Sequence, residues 1–309
     1  MKQSCATPKR LRKNFAPIPR GLTRGVIGGM YAAARAGGPP LGLAVGQALM
    51  AHRGKRVGIF TGAPVPGHMP NGENDGPLGS IVAGRALERI GCRVTFYAER
   101  ELFPILEELI RQEKLAAGLK ELHKTDRAAN LPYADEVDLG VTIEKQGATA
   151  DGHIYSINAH NRDRTRANID NVIAKLTADG KVTIGVGDGG NEIGWGKIHD
   201  YIVKHVPCGP TIACTITTTH LYPAAVSNWG GYALAALLAL HTGDLGLCHD
   251  PKRELEYLDL TAKMRVMDGG TGQPINHVDG IPAEVSAAVV TILRGLVEAY
   301  HRKPFERPF

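Results

Sequence analysis

Short apolar runs alternate along the chain with longer segments whose apolar residues recur every three or four positions. That is the pattern of strands separated by helices. Runs at 56–61, 93–98, 138–144, 182–186 and 211–218 predict strands, the second of them Arg-Val-Thr-Phe-Tyr-Ala. A helix over 41–52 opens on proline and places Leu41, Val45, Ala48 and Leu49 on one face. Gly76-Pro77 starts a helix through 90 with Ile81, Leu87 and Ile90 inward, and Gly91 ends it. Segment 102–122 reads as a helical pair and 169–176 as a helix. Another helix runs from a glycine-rich turn after 186 to about 205. Asp151-Gly152 predicts a tight turn between extended legs at 145–149 and 154–158. Ser227-Asn228 caps a helix over 231–241, a glycine-rich loop surrounds Asp268-Gly-Gly-Thr-Gly272, and Asp279-Gly-Ile-Pro282 opens a long amphipathic helix to about 300. Strands alternating with helices predict a Rossmann-like α/β fold: a mostly parallel sheet flanked by helices on both faces, three layers deep. We expect a basic arm over 1–24 and one α/β domain over 25–309.

Charge alters the picture at one end only. Residues 1–72 hold eleven Lys or Arg and no acid, so the remaining 25 bases face all 31 acids. The arm carries Lys2, Lys9, Arg10, Arg12, Lys13, Arg20 and Arg24 with only Phe15 as an aromatic, which disfavours nucleic acid. A solvated tail, or a strap on a neighbouring subunit of a homo-oligomer, fits it better. A basic, acid-poor start also matches an organelle transit peptide. The longest apolar run, 232–240, is far short of the roughly 20 residues that span a bilayer, so no membrane segment is expected. The five cysteines, at 5, 92, 208, 214 and 248, form no C-x-x-C pair. Reduced thiols in the cytoplasm, or in an organelle matrix, are the expectation.

The chemistry gathers after strands. Gly185, Gly187 and Gly190 spell G-x-G-x-x-G behind a strand, the pattern that cradles a pyrophosphate. Asp188 inside that loop and Glu192 behind it oppose a phosphate, and no acid closes the next strand, so dinucleotide binding is disfavoured. Glu73 and Asp75 follow the first strand, Glu144 ends the third, Asp188 and Glu192 follow the fourth, and His220 and Asn228 follow the fifth. Each has an ordinary reading as a cap or a dipole partner. Together on one sheet edge they require a cation, either a metal or a substrate ammonium. Oxygen ligands without a His/Cys cluster suit Mg²⁺, Mn²⁺ or Ca²⁺ rather than zinc. We therefore expect a divalent ion, Mg²⁺ or Mn²⁺, on a subset of Glu73, Asp75, Asp188 and Glu192. His220 is a candidate base, and Lys145, Arg162 and Lys197 are candidates for an anionic group.

Several of these segments occur in order in one family. The chain resembles the C-terminal domain of D-glutamate cyclase over about 41–296. The motifs are Ile59-Phe-Thr-Gly62, Glu73-Asn-Asp-Gly-Pro77, Glu144-Lys145 with Asp151-Gly152, Gly185-Val-Gly-Asp-Gly-Gly-Asn-Glu-Ile-Gly194, Thr219-His220-Leu221, Ser227-Asn-Trp-Gly-Gly231 and Val278-Asp-Gly-Ile-Pro282. The loop Asn158-Ala-His-Asn-Arg-Asp163 departs from the Asn-Met-Arg-Gly type of segment expected there, and Trp195 replaces a methionine. The resemblance implies closure of D-glutamate to 5-oxo-D-proline with loss of water on a small anionic substrate. It makes Asp188, Glu192 and His220 the catalytic candidates. Glu144, Asn158, Asp163, Gly189, Asn191 and Asn228 become the substrate-contact candidates. A manganese-dependent phosphatase and a non-catalytic metabolite- or nucleotide-binding module remain alternatives.

Overall fold

The computed structural model describes residues 26–62 and 64–302; the basic arm over 1–24 lies outside the described residues. Helices α1 (Ile27–Arg35) and α2 (Leu41–Ala51) precede β1 (Arg56–Phe60). The chain continues through α3 (Pro77–Arg89), β2 (Arg93–Ala98), α4 (Phe103–Glu113) and β3 (Gly118–Glu121). Two single turns, α5 (Arg127–Asn130) and α6 (Tyr133–Glu136), lead to β4 (Leu139–Ile143), and a long irregular segment reaches α7 (Asp170–Ala178) and β5 (Val182–Gly187). Then come α8 (His199–His205), α9 (Gly209–Ile212), β6 (His220–Pro223), α10 (Ser227–Thr242) and α11 (Pro251–Lys263). A small ladder of β7 (His277–Val278) with β8 (Ile281–Pro282) precedes α12 (Ala283–His301).

The six main strands form one parallel sheet in the order β3-β2-β1-β4-β5-β6. This is the expected α/β class. The chain moves outward from β1 in one direction and from β4 in the other, so the crevice between their carboxyl ends is the topological switch point, where such sheets bind ligands. Alternating side chains divide the core. Val57, Ile59, Val141 and Ile143 pack with α3, α10 and α12, whereas Phe60 and Tyr97 pack with α6 and α7 on the other face.

Helices α3 and α10 cross at glycine. A Cβ on Gly231 would lie 2.4 Å from the Gly79 carbonyl oxygen, and one on Gly79 would lie 2.7 Å from Asn228 Cα. Beneath α10, Trp229 donates to Ser286, while Ser286 and Tyr232 both donate to the buried Glu254, which fastens α10 to α11 and α12.

Helices α1 and α11 lie where none was predicted, and four predicted features differ. The second half of the predicted helical pair at 102–122 is β3, an edge strand; its Leu-Lys-Glu composition suits a helix, but pairing with the open side of β2 decides it. Residues 211–218 are not a strand: the amides of Cys214 and Thr215 donate to Gly190 and Ala148, and the Ile216 carbonyl accepts from Gly194 and Gly196. The strand is β6, beginning at His220. No helix follows the glycine turn directly, because the amides of 188–190 and of Ile193 have other acceptors, so α8 starts only at His199. Last, the turn at 149–153 forms without the hairpin. Residues 145–147 instead bond the segment after β5, through Ile193 N to Lys145 O and Gly147 N to Asn191 O.

Candidate functional site

The loop leaving β1 returns to the sheet edge at Asn74 and Asp75. Asn74 is fixed by its amide on Met267 O and its side chain on His277 O. Gly76 turns the chain into α3 with φ 97°, where any Cβ would strike Thr61 Oγ1 and Glu144 Cβ at 2.7 and 2.8 Å. Two helix starts then cap each other. Asp75 accepts the backbone amides of Ser227 and Asn228 at 3.1 and 2.7 Å, covering the N-terminus of α10. Asn228 accepts the amides of Gly76 and Gly79 at 2.8 and 2.7 Å, covering the start of α3, and donates to Asn74 O. Asn228 is thus a cap for a helix distant in sequence, inside the first turn of its own.

Glu144 follows β4 in the left-handed region, φ 52°, which a non-glycine residue adopts where the surroundings force it. Its carboxylate accepts the Ser227 hydroxyl at 2.6 Å and the Gln146 amide at 3.0 Å. Asp188 follows β5. One oxygen each of Asp75, Glu144 and Asp188 lie within 4.8 Å of one another, and all three residues are at most 9 % exposed. Burial first, and then the charges of Asp279 and Glu73, push the Asp75 carboxyl well above its ordinary range against the opposing Asn228 amide. Burial first, then Glu192, Asp75 and Glu73, do the same to Glu144. Three acids so placed need a cation or protons. The donor set is oxygen only, as a hard divalent ion requires, and each carboxylate has lone pairs beyond those its hydrogen bonds use.

Glu192 points elsewhere. Its carboxylate takes the amides of Asp188, Gly189 and Gly190, each at 2.8 Å, and is fully buried beneath its own loop. Those amides, Gly189's among them, are therefore not offered to a ligand. The cradle a pyrophosphate would need is filled by the protein's own acid. Glu73 borders the cluster 3.7 Å from Arg166.

The remaining candidates spread outward. Asn191 donates to Tyr155 O, and Asp163 accepts from His153, from the Ile154 amide and from Asn161, so both shape the 153–163 loop. Asn158 is exposed on that loop. His220 opens β6 opposite Ile184, three residues short of the strand end at Pro223, or about 10 Å below the carboxyl edge. It was expected beyond a strand's end because 211–218 was expected to be that strand. Burial and then Lys197 lower its pKa. Lys145 is fully buried against Glu99, and Lys197 reaches the Thr219 carbonyl.

Sequence reasoning passed over Ser227 as a partner of Glu144, and Asp279 as a neighbour of Asp75. Both stood inside noticed motifs, read there as helix openers. Asp279 adopts φ 53°, a second acidic residue in the left-handed region near the cluster.

A family model described as D-glutamate cyclase-like, C-terminal, matches residues 41–294. Human mitochondrial D-glutamate cyclase is 29 % identical over an alignment covering 74 % of this chain and 43 % of that protein, so the chain spans less than half the length of this relative. Similar solved structures include a short-chain dehydrogenase/reductase from Serratia marcescens: 12 % identity, 81 % of this chain, 94 % of that one, TM-score 0.30. An NADPH-bound actinorhodin polyketide ketoreductase variant is 13 % identical over 79 % of this chain and 92 % of that one, with TM-score 0.30. Likeness at that score carries no argument about this chain. No helix among the described residues is long and apolar enough to cross a membrane. The ordered motifs and the family match over most of the chain establish that it belongs to the D-glutamate cyclase-like C-terminal family.

Proposed function

We propose that this chain is a D-glutamate cyclase-like hydro-lyase, closing D-glutamate to 5-oxo-D-proline with loss of water, assisted by Mg²⁺ or Mn²⁺. The observation that carries this reading is the convergence of Asp75, Glu144 and Asp188, from the segments that follow three parallel strands, on one buried point at the carboxyl edge of the sheet. These three residues would hold the ion. When bound, it supplies Lewis acidity toward the γ-carboxylate and balances the cluster's charge.

Ring closure forms a bond between the α-nitrogen and the γ-carboxyl carbon and breaks one carbon–oxygen bond. The α-ammonium must first lose a proton, and the departing oxygen must gain protons to leave as water. Asp75, pinned by the Gly76, Ser227 and Asn228 amides, serves to hold. Glu144, held by one hydroxyl and one side-chain amide, is the carboxylate assigned to the proton transfer. Curling the extended substrate so that amine and carboxyl meet lowers the remaining barrier. We place the reaction in an aqueous compartment, the cytoplasm or an organelle matrix.

The test is chiral chromatography of D-glutamate incubated with the full chain and Mn²⁺. 5-Oxo-D-proline should form and should disappear with excess EDTA, and Glu144→Gln should lower kcat by about 10²–10⁴. Full turnover in EDTA removes the metal from the reading. No turnover with either ion removes the cyclase.

A further inference from the structure

Beside the acidic cluster lies a group of opposite sign. Arg162 and Arg166 flank one turn of the irregular segment before α7, with Arg166 N bonded to Arg162 O at 2.9 Å. Arg166 is only 5 % exposed. Its Nη2 lies 3.7 Å from Glu73 Oε1, which is an ion pair but not a hydrogen bond. Its Nε and Nη1, and Nε of Arg162, are buried and meet no hydrogen-bond acceptor among the described residues. The other nearby acid, Glu99, takes Lys145 and the Ala167 amide on Oε1, and its Oε2 is buried without a hydrogen bond to either arginine.

A buried guanidinium with idle donors is costly, and the acceptor that best matches its planar donors is a carboxylate. Glu73 ties this group to the cluster, since it pairs with Arg166 and stands two residues before Asp75 in the chain. The site is therefore two-signed: carboxylates for a cation or ammonium on one side, idle guanidinium donors on the other. We propose that Arg166, with Arg162, binds the carboxylate of the substrate that does not react, so that the ligand is an α-amino dicarboxylic acid held through its α-carboxylate. The substrate identity rests on the cyclase reading above; the anion subsite rests on the arginines alone.

The test is titration calorimetry of the full chain with Mn²⁺ present, on wild type, R166M and R166K. The probes are D-glutamate, its α-amide (D-isoglutamine) and glutarate, a dicarboxylate without the amine. Wild type should bind D-glutamate roughly 30-fold more tightly than the α-amide and should also bind glutarate. R166M should lose that preference, and with it glutarate binding, while unfolding as one transition like wild type. R166K keeps the charge without the planar fork and should lose about tenfold of the preference, which serves if R166M does not fold. Equal binding of acid and amide by wild type, or an R166M or R166K that retains the full preference, overturns the proposal. Carboxylate binding without turnover leaves the subsite standing and sinks the cyclase reading. Turnover without the preference does the reverse.

Discussion

Glu192→Gln separates a residue that builds the site from one that works in it. In the structure Oε1 accepts two amides, from Asp188 and Gly189, and Oε2 accepts the third, from Gly190, all at 2.8 Å. The glutamine oxygen can keep the first two, but its NH₂ group then faces the Gly190 N–H, donor against donor. A hydrogen bond to a charged group contributes about 1.5–3 kcal/mol, and a buried unsatisfied donor costs about 1–3 kcal/mol. Working against this loss, removal of the Glu192 charge relieves Glu144, on which it is the largest raising influence after burial. We expect a net destabilisation of about 2–4 kcal/mol, or roughly 3–6 °C in Tm for a chain of this size. Urea unfolding followed by far-UV circular dichroism, alongside Mn²⁺ titration, checks it. The variant should show a lower urea midpoint with an unchanged m-value, and should still bind Mn²⁺ where enough folded protein remains. Wild-type stability with complete loss of Mn²⁺ binding would refute the reasoning, because Glu192 would then be a ligand and its loop contacts incidental.

Two further outcomes test the frame that carries the site. Gly231→Ala places a methyl group 2.4 Å from the Gly79 carbonyl oxygen, a backbone atom that cannot swing aside, so it should cost about 3 kcal/mol or more in urea unfolding; an unshifted midpoint contradicts the glycine crossing. Asp138 is held down to about 2 by its hydrogen bonds to Arg56, so its contribution is complete above its ordinary value and disappears as pH falls through about 2. The pair is partly exposed, so Asp138→Asn should lower stability at pH 7 by at most about 1 kcal/mol, and the gap should close on acidification toward pH 2; a gap that widens would reverse the sign.

What local pattern could specify, the sequence displayed. Strands β1, β2, β4 and β5 are runs of apolar and β-branched residues, and α2, α3 and α12 each begin at or beside a proline, so period and punctuation agree. Because every main strand is parallel, acids placed just after strands must gather at one edge, and for Asp75, Glu144 and Asp188 that much was legible. Strand β3 and helix α11 were not: β3 has four residues whose composition suits a helix and is a strand only because β2 had an open side. His220 was misplaced with its strand, since 211–218 has β-branched composition but donates the amides of Cys214 and Thr215 to Gly190 and Ala148, in two other loops.

Where each carboxylate turns was decided by the tertiary structure alone. Glu192 faces its own loop because three amides converge there, and Asn228 faces α3 because the Gly79–Gly231 crossing brings the two helix starts within hydrogen-bond reach. Glu144 is bent into the left-handed region between Gly76 and Ser227. Arg166 acquires its idle, buried donors from a packing between Glu73 and Glu99 that its neighbours in sequence do not announce. Periodicity and capping act over a few residues and can be read one segment at a time. The direction of a side chain at a sheet edge depends on donors and acceptors a hundred or more residues away, and it exists only once the layers have closed.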